Sequence, residues 1–452
     1  MPRDAKPERK GDDDPQIIDA MPTKQLFIAM LTRDIGLIPA IVDLVDNSAD
    51  GARSLRGNRS YKDLWARIEL SEKAFRISDN CGGIPIDVAR DYAFRFGRDE
   101  DAPSVEHSIG QFGVGMKRAV FKLGRAFHIE SATETSRFAV THDVDKWARD
   151  PKWQFRFAHL EKGIRVNEDQ RGTTIVVTRL LPEVAGKFGL SSFATELSLE
   201  LKRRLQIPID KGLAVTVNQI PVTAQPLTLL SDKKLKPAYR RLRFSEKGKK
   251  AVVVKLYCGL GASDKSGAGW HVFCNGRLVL GADKSVVTGW GETKKASGID
   301  IPGFHNQYTR LRGYAYFDSD DPGRLPWNTT KTGIDMDSGV YRNTRLEMMR
   351  LMRPVVDFLN RLKDEKQERE EGAGPLELMV ANSKSTALSD ISTRNVFNAP
   401  MPPQSKKPKV QRIQYDRPLE QVERARQVLK VSSFKAVGEK TFDYFYANEV
   451  GG

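Results

Sequence analysis

Three glycines within six residues, in Ser108-Ile-Gly-Gln-Phe-Gly-Val-Gly-Met-Lys-Arg118, most restrict what this chain can fold into. The string runs into a helical pattern beginning near Gly115. It therefore predicts free backbone N–H groups at a helix N-terminus, a cradle for an anion. No strand pattern precedes it, which argues against a dinucleotide fingerprint. No Gly-x-x-x-x-Gly-Lys-Ser/Thr occurs either, which excludes a P-loop. A glycine-rich turn without a ligand is the alternative.

Two strings upstream carry the polar atoms that such a cradle needs. A helix predicted over about 38–54 contains Ile41-Val-Asp-Leu-Val-Asp-Asn-Ser-Ala-Asp50. At about 100° per residue, Asp43, Asn47 and Asp50 fall within about 60° of one another, and Asp46 is expected to point away. Two carboxylates and a carboxamide on one face suit a magnesium-bound phosphate, the amide oxygen for the metal and a carboxylate for a water. A solvated polar face is the alternative. Next, Ile77-Ser-Asp-Asn-Cys-Gly-Gly-Ile-Pro85 ends a predicted strand in an acid and then in paired glycines. Gly82 and Gly83 permit backbone geometry that other residues resist and let a flat ligand approach closely. Asp79 is placed to accept a hydrogen bond from an amino group. A plain strand-to-helix turn is the alternative. A fourth string, Arg171-Gly-Thr-Thr-Ile-Val-Val177, enters a strand and is unremarkable alone.

In this order and spacing the four strings resemble the GHKL ATPase superfamily of gyrase B subunits, ninety-kilodalton heat-shock chaperones, histidine kinases and MutL proteins, over about residues 20–180. Ile109-Gly-Gln-Phe-Gly-Val-Gly115 is similar to the chaperone glycine motif. Asp79-Asn-Cys-Gly-Gly-Ile-Pro85 is similar to the gyrase Asp-Asn-Gly-x-Gly-Ile-Pro, with Cys81 replacing the first glycine. The resemblance implies an α+β fold, a Bergerat-type α/β sandwich that binds ATP and magnesium. It implies Asn47 as the magnesium ligand and Asp79, supported by Thr173, as acceptor of the adenine amino group. It puts Gly83 and Ile84 beside the base, with Asp50 as a second acid of the helix. Gly110, Gln111, Phe112, Gly113, Val114, Gly115, Met116 and Lys117 would surround the phosphates, partly in a lid at residues 95–115. Family ATPases carry a Glu general base four residues before the Asn. Here it is Asp43, one methylene shorter, so slow hydrolysis to ADP and phosphate is expected.

Leu325-Pro-Trp-Asn-Thr-Thr-Lys-Thr-Gly-Ile-Asp335 resembles the transducer that follows the ATPase domain in gyrase, MutL and MORC proteins. This implies that Lys331 reaches the γ-phosphate and that two protomers associate on binding ATP. The expected domains are a flexible leader at 1–20, an ATP-binding domain at 21–185, a transducer-like domain at 186–366, and a charged linker and tail at 367–452. Helices mixed with mostly antiparallel strands fit an α+β sandwich rather than a doubly wound sheet. Strands at 213–217, 251–257, 270–274 and 314–317 and a closing helix at 340–366 are assigned to the second domain. The tail is expected to hold one or two short helices within 418–448 and to dock a protein partner.

Charge adds a further expectation. With 73 Lys plus Arg against 58 Asp plus Glu, the chain carries +15 and favours a polyanionic partner. Residues 231–250 hold nine Lys or Arg against Asp232 and Glu246, with Tyr239 and Phe244 interleaved. Residues 233–250 are thus the expected surface for duplex DNA, with a solvated loop as the alternative. Three cysteines without a C-x-x-C pair and six scattered histidines argue against disulfide scaffolds and zinc sites. No apolar run is long enough to cross a membrane, and the N-terminus lacks a signal-peptide pattern, so a cytoplasmic protein without membrane contact is expected. The alternative function is a nucleotide-binding scaffold or chaperone-like protein with little intrinsic ATPase activity. A histidine kinase is disfavoured because no histidine precedes the nucleotide region.

Overall fold

Helix α1 (Lys24–Arg33) begins at Thr23, whose hydroxyl accepts a hydrogen bond from Leu26 N at 3.3 Å. Helix α2 (Leu37–Arg56) ends at Gly57, which takes φ +59° and donates its N–H to Arg53 O. The computed structural model describes residues 22–57, 59–96, 115–224, 226–294, 298–328, 331–368, 373–393, 396–399 and 413–450. The expected leader, lid residues 97–114 with Gly110, Gln111, Phe112, Gly113 and Val114, and nearly all of the Pro/Lys-rich linker lie outside them.

Strands β1 (Trp65–Leu70) and β2 (Ala74–Asp79) form a hairpin, followed by a helical turn α3 (Ile86–Val88) that passes into a π-helical turn at Ala89–Ala93. Helix α4 (Gly115–Leu123) leads directly into β3 (Gly124–Ala132). Strand β4 (Ser136–Asp143), helix α5 (Val144–Arg149) and strands β5 (Phe157–Lys162) and β6 (Gly172–Leu180) follow. Helices α6 (Pro182–Phe188), α7 (Ser191–Arg204) and α8 (Gln206–Asp210) then lead to β7 (Ala214–Val217) and β8 (Ile220–Val222). These eight strands form one sheet in the order β5-β4-β3-β6-β2-β1-β7-β8, antiparallel at every pairing except β1·β7. The apolar residues of α2 (Ile41, Leu44, Val45) and α4 (Ala119, Val120, Phe121) are buried in one core with Ile68, Phe75, Ile129 and Val177 of the sheet.

One strand falls elsewhere than its sequence context suggested. Residues 213–217 read as part of the second domain, yet β7 pairs with β1, so the first sheet runs past residue 185 to Val222. Ala66 and Ile68 are fully buried, and β7 supplies the backbone partners that the outer edge of β1 needs there.

The second sheet comprises β10 (Ala238–Glu246), β11 (Lys249–Leu260), β12 (Gly269–Cys274), β13 (Arg277–Asp283) and β14 (Leu311–Ser319), in the order β10-β11-β14-β12-β13. Strand β9 (Thr228–Ser231) pairs instead with β15 (Lys384–Ala387). Along β11, Val252, Val254, Leu256 and Cys258 are fully buried while Val253, Lys255 and Tyr257 between them are only half-buried. The long helix Gly339–Glu368 packs on this sheet through Met348, Met349, Met352, Val355, Val356 and Leu359. Mixed helices and antiparallel-rich sheets make the fold α+β, as the sequence indicated. Residues Met401–Gly452 form a separate unit containing helices Leu419–Leu429 and Phe434–Phe445.

Gly313 lies under fully buried Trp270, and a Cβ there would meet the indole carbons at 2.4 Å. Gly313→Ala is expected to lower unfolding free energy by about 1–3 kcal/mol in urea denaturation, because the indole has no free space to enter.

Candidate functional site

Helix α2 and the turn after β2 meet closely because Gly51 has no side chain: a Cβ there would lie 2.5 Å from the Cys81 carbonyl oxygen. That approach lets Ser48 Oγ donate to Asp79 Oδ2 at 2.8 Å. Cys81 N and Thr173 N both donate to Asp79 Oδ1, at 2.9 and 3.3 Å. Burial raises the Asp79 carboxyl above the usual carboxylate range, and the three donors oppose that shift. Two glycines close the turn at the next layer. Gly83 (φ +72°) would place a Cβ 2.1 Å from the Ala132 carbonyl oxygen, and Gly172 (φ +137°) one 1.9 Å from that of Asp79. Ser131 Oγ accepts from Ile84 N at 2.7 Å and lies 2.9 Å from Thr173 Oγ1. The structure thus brings Asp79, Gly83, Ile84 and Thr173 together and adds Ser48, Ser131 and Gly172. The last was legible in the Gly-Thr string; neither serine carried a signal.

The polar stripe of α2 meets cations from three other elements. Asp43, 3% exposed, accepts from Arg118 Nη2 at 2.6 Å and lies 3.6 Å from Arg277 Nη1. Asp46, fully buried, pairs with Arg277 and lies 3.6 Å from Lys331 Nζ. Asp46 therefore does not point away from Asp43. Three residues along a helix turn the side chain by about 300°, leaving the two carboxylates only about 60° apart. Asn47 is exposed and Asp50 half-buried. A Cβ at Gly115 would lie 3.6 Å from Asp43 Oδ2, so the start of α4 faces this stripe. Arg118 and Arg277 were missed: the first read as an ordinary helix residue, and nothing around the second marked it.

Lys331 sits in a loop with φ +54°, its N–H donating to Asn328 O at 2.9 Å and its carbonyl accepting from Arg204 at 3.3 Å. Burial pushes its amine down to about 8, partly opposed by Asp43. Burial likewise lowers Arg277 to about 10, against the pull of Asp43. Lys117 is buried on α4. Its ammonium donates to the Ala93 and Arg95 carbonyls, and burial lowers it to about 7. It thus ties α4 to the carbonyls at and just after the end of the π-helical turn. Met116 is core.

Among the described residues no group of three or more His, Cys, Asp or Glu side chains is arranged to hold a metal. An exposed Asn47 beside two carboxylates still fits magnesium, whose remaining ligands would be phosphate and water oxygens. The basic stretch lies on edge strand β10 and the start of β11, where Arg240, Arg241, Arg243, Lys249 and Lys250 are exposed. Glu246 takes up Lys249 at 2.7 Å and Arg324 at 3.2 Å. No helix among the described residues is long and apolar enough to cross a membrane.

Lys331 sets a pH dependence. Below about 8 the lysine is protonated folded and unfolded, and its burial penalty is fully present. From there to the ordinary lysine range near about 10.4, the unfolded state binds more protons, so stability rises with pH. Relative to Lys331→Met, the wild type is expected to gain about 1–2 kcal/mol of unfolding free energy between about pH 7.5 and about pH 9.5, read by urea melts.

Residues 35–173 match the family described as histidine kinase-, DNA gyrase B- and HSP90-like ATPase. This span contains Asp43, Asn47, Asp79, Gly83, Gly115 and Thr173. A comparison with curated proteins finds no match to the chain.

Proposed function

From a GHKL-type ATPase domain at residues 35–173, we propose that this protein is a magnesium-dependent, ATP-operated conformational switch. The observation that carries the reading is the Asp79 turn. A carboxylate held by Ser48, Cys81 and Thr173 lies beside glycines that have no room for a side chain. In this reading Asp79 accepts the adenine amino group, directly or through water, and Gly83 lets the base lie against the backbone. Glycines 110, 113 and 115 surround the phosphates.

Asn47 would hold magnesium, with Asp50 as the neighbouring acid; bound there, the ion neutralises phosphate charge. Asp43 takes the proton as water attacks the γ-phosphorus and the bond to ADP breaks. Lys331, carried by the second domain, moves toward the charge that develops on the transferred group. Nucleotide state thereby reaches the second sheet and drives association of two protomers. Exposed arginines and lysines at 233–250 offer phosphate contacts to duplex DNA, and the separate C-terminal unit serves a protein partner. A cytoplasmic setting suits three buried free cysteines.

One observation favours a second reading, a nucleotide-binding scaffold with little turnover. Asp43 is buried and its Oδ2 is engaged by Arg118 at 2.6 Å, which leaves only the buried Oδ1 to meet a water.

Steady-state ATP turnover with and without duplex DNA, using Asn47→Ala as the blank, tests both. Turnover abolished by Asn47→Ala and raised several-fold by DNA is expected for the switch. A rate equal to the blank, with ATP still bound, selects the scaffold. Asp43→Glu is expected to raise kcat about tenfold or more if the shorter acid limits proton transfer.

A further inference from the structure

Asp46 has two cationic partners on different kinds of element, a strand and a loop. Arg277 is 0% exposed and anchored in β13, whose register with β12 includes Cys274↔Arg277. The turn before it is fixed to the same helix, since Arg53 Nη2 donates to Asn275 O at 2.8 Å. Lys331 differs: its long side chain leaves a loop and lies 3.6 Å from Asp46 Oδ2, beyond hydrogen-bond distance. Neither Asp46 oxygen has a regular hydrogen-bond partner, although both are buried. The carboxylate thus faces one cation carried by a strand, in direct contact, and one carried by a loop at 3.6 Å. Asn47 is next in sequence, about 100° further around α2. A phosphate bound against Asn47 would thus sit one residue along α2 from the acid that Lys331 faces.

We infer that Asp46 is a resident anion holding Lys331 off the nucleotide, that a terminal phosphate competes with it for this cation, and that Arg277 stays behind to keep Asp46 paired. The physical case rests on the cost of a buried lone charge. Removing one partner from a buried ion pair is strongly destabilising because the other charge remains uncompensated. A carboxylate with only Lys331 could not release it. With Arg277 fixed in the sheet, Lys331 can exchange carboxylate for phosphate while every buried charge keeps a partner. Asp43 is covered in the same way, by Arg118 at 2.6 Å with Arg277 at 3.6 Å. Asp46 and Arg277 are positioning residues: they set the threshold at which a third phosphate is sensed. The inference rests on the nucleotide reading above and names what regulates that site.

The test is the ratio of dissociation constants for magnesium-ADP and a non-hydrolysable magnesium-ATP analogue, measured calorimetrically on the full chain. Asp46→Asn is expected to raise preference for the triphosphate about tenfold, equivalent to about 1.4 kcal/mol. Lys331→Met in the same background should abolish that gain, whereas Asp46→Glu, which retains the anion, should keep the wild-type ratio. A merely structural Asp46 would weaken both nucleotides alike. Should Asp46→Asn alone fail to fold, the double variant Asp46→Asn/Arg277→Gln removes both members of the fixed pair and is expected to show the same gain. An unchanged ratio in a variant that binds nucleotide overturns this inference while leaving the switch intact. Failure of the wild type to bind either nucleotide overturns the switch, and this inference with it.

Discussion

The carboxylates of Asp43 and Asp46 are buried beside the core residues Ile41, Val42, Leu44 and Val45 of one helix, and much of the architecture follows from the need to neutralise them. A carboxylate removed from water costs several kcal/mol unless a cation and further donors accompany it. Here the cations come from three elements far apart in sequence: Arg118 from α4, Arg277 from β13 and Lys331 from the loop after β14. The same stripe ends in Arg53, bonded to the Asn275 carbonyl. One helix of the first sheet layer is therefore fastened to the second sheet through charge as well as through the shared apolar core. Apolar contacts tolerate sliding; a paired buried charge does not. An interface built this way has few alternative arrangements, as a two-state coupling element requires.

Close backbone approach is the second constraint. The turn at Asp79–Gly83 touches α2 on one side and β6 on the other, and at Gly51, Gly83 and Gly172 a Cβ would strike a carbonyl oxygen. The donors to Asp79 come from α2, the turn itself and β6, so the acceptor is held from three directions. Lys117 plays a related part at the edge of the site. Its ammonium gathers the carbonyls of Ala93 and Arg95, which terminate the π-helical turn, and so fixes where the chain leaves toward the glycine string.

The basic strand β10 has a double physical rationale. It is the edge of the five-stranded sheet, and exposed Arg and Lys on an edge discourage pairing with another chain. The same charges form a field that attracts a polyanion. Glu246 neutralises Lys249 and Arg324 at one end, which leaves Arg240, Arg241 and Arg243 as the exposed cations of the strand itself.

Local pattern made much of the fold readable. A strand ending at Asp79, strands at 251–257, 270–274 and 314–317 and a helix at 340–366 were legible in sequence, and β2, β11, β12, β14 and the helix Gly339–Glu368 stand there. Motif residues Asp79, Gly83 and Thr173 could be named because their chemistry depends on residue type and on spacing along one stretch of chain. Other features had no local signature. Strand β7 has the same alternation whichever sheet it joins, so its pairing with β1 was set by which edge lay open. Asp46 was read as facing away although it stands only about 60° from Asp43 on the helix; that Arg277 and Lys331 pack against it had no local signature. Arg118 and Arg277 look like any other basic residue in a chain of net charge +15. The core strands, the long helices and the glycine-bearing turn could be read locally, because backbone sterics and hydrophobic period act within a few residues. Tertiary structure alone decided which cations meet the acids of α2, because a buried charge selects its partner by position in space.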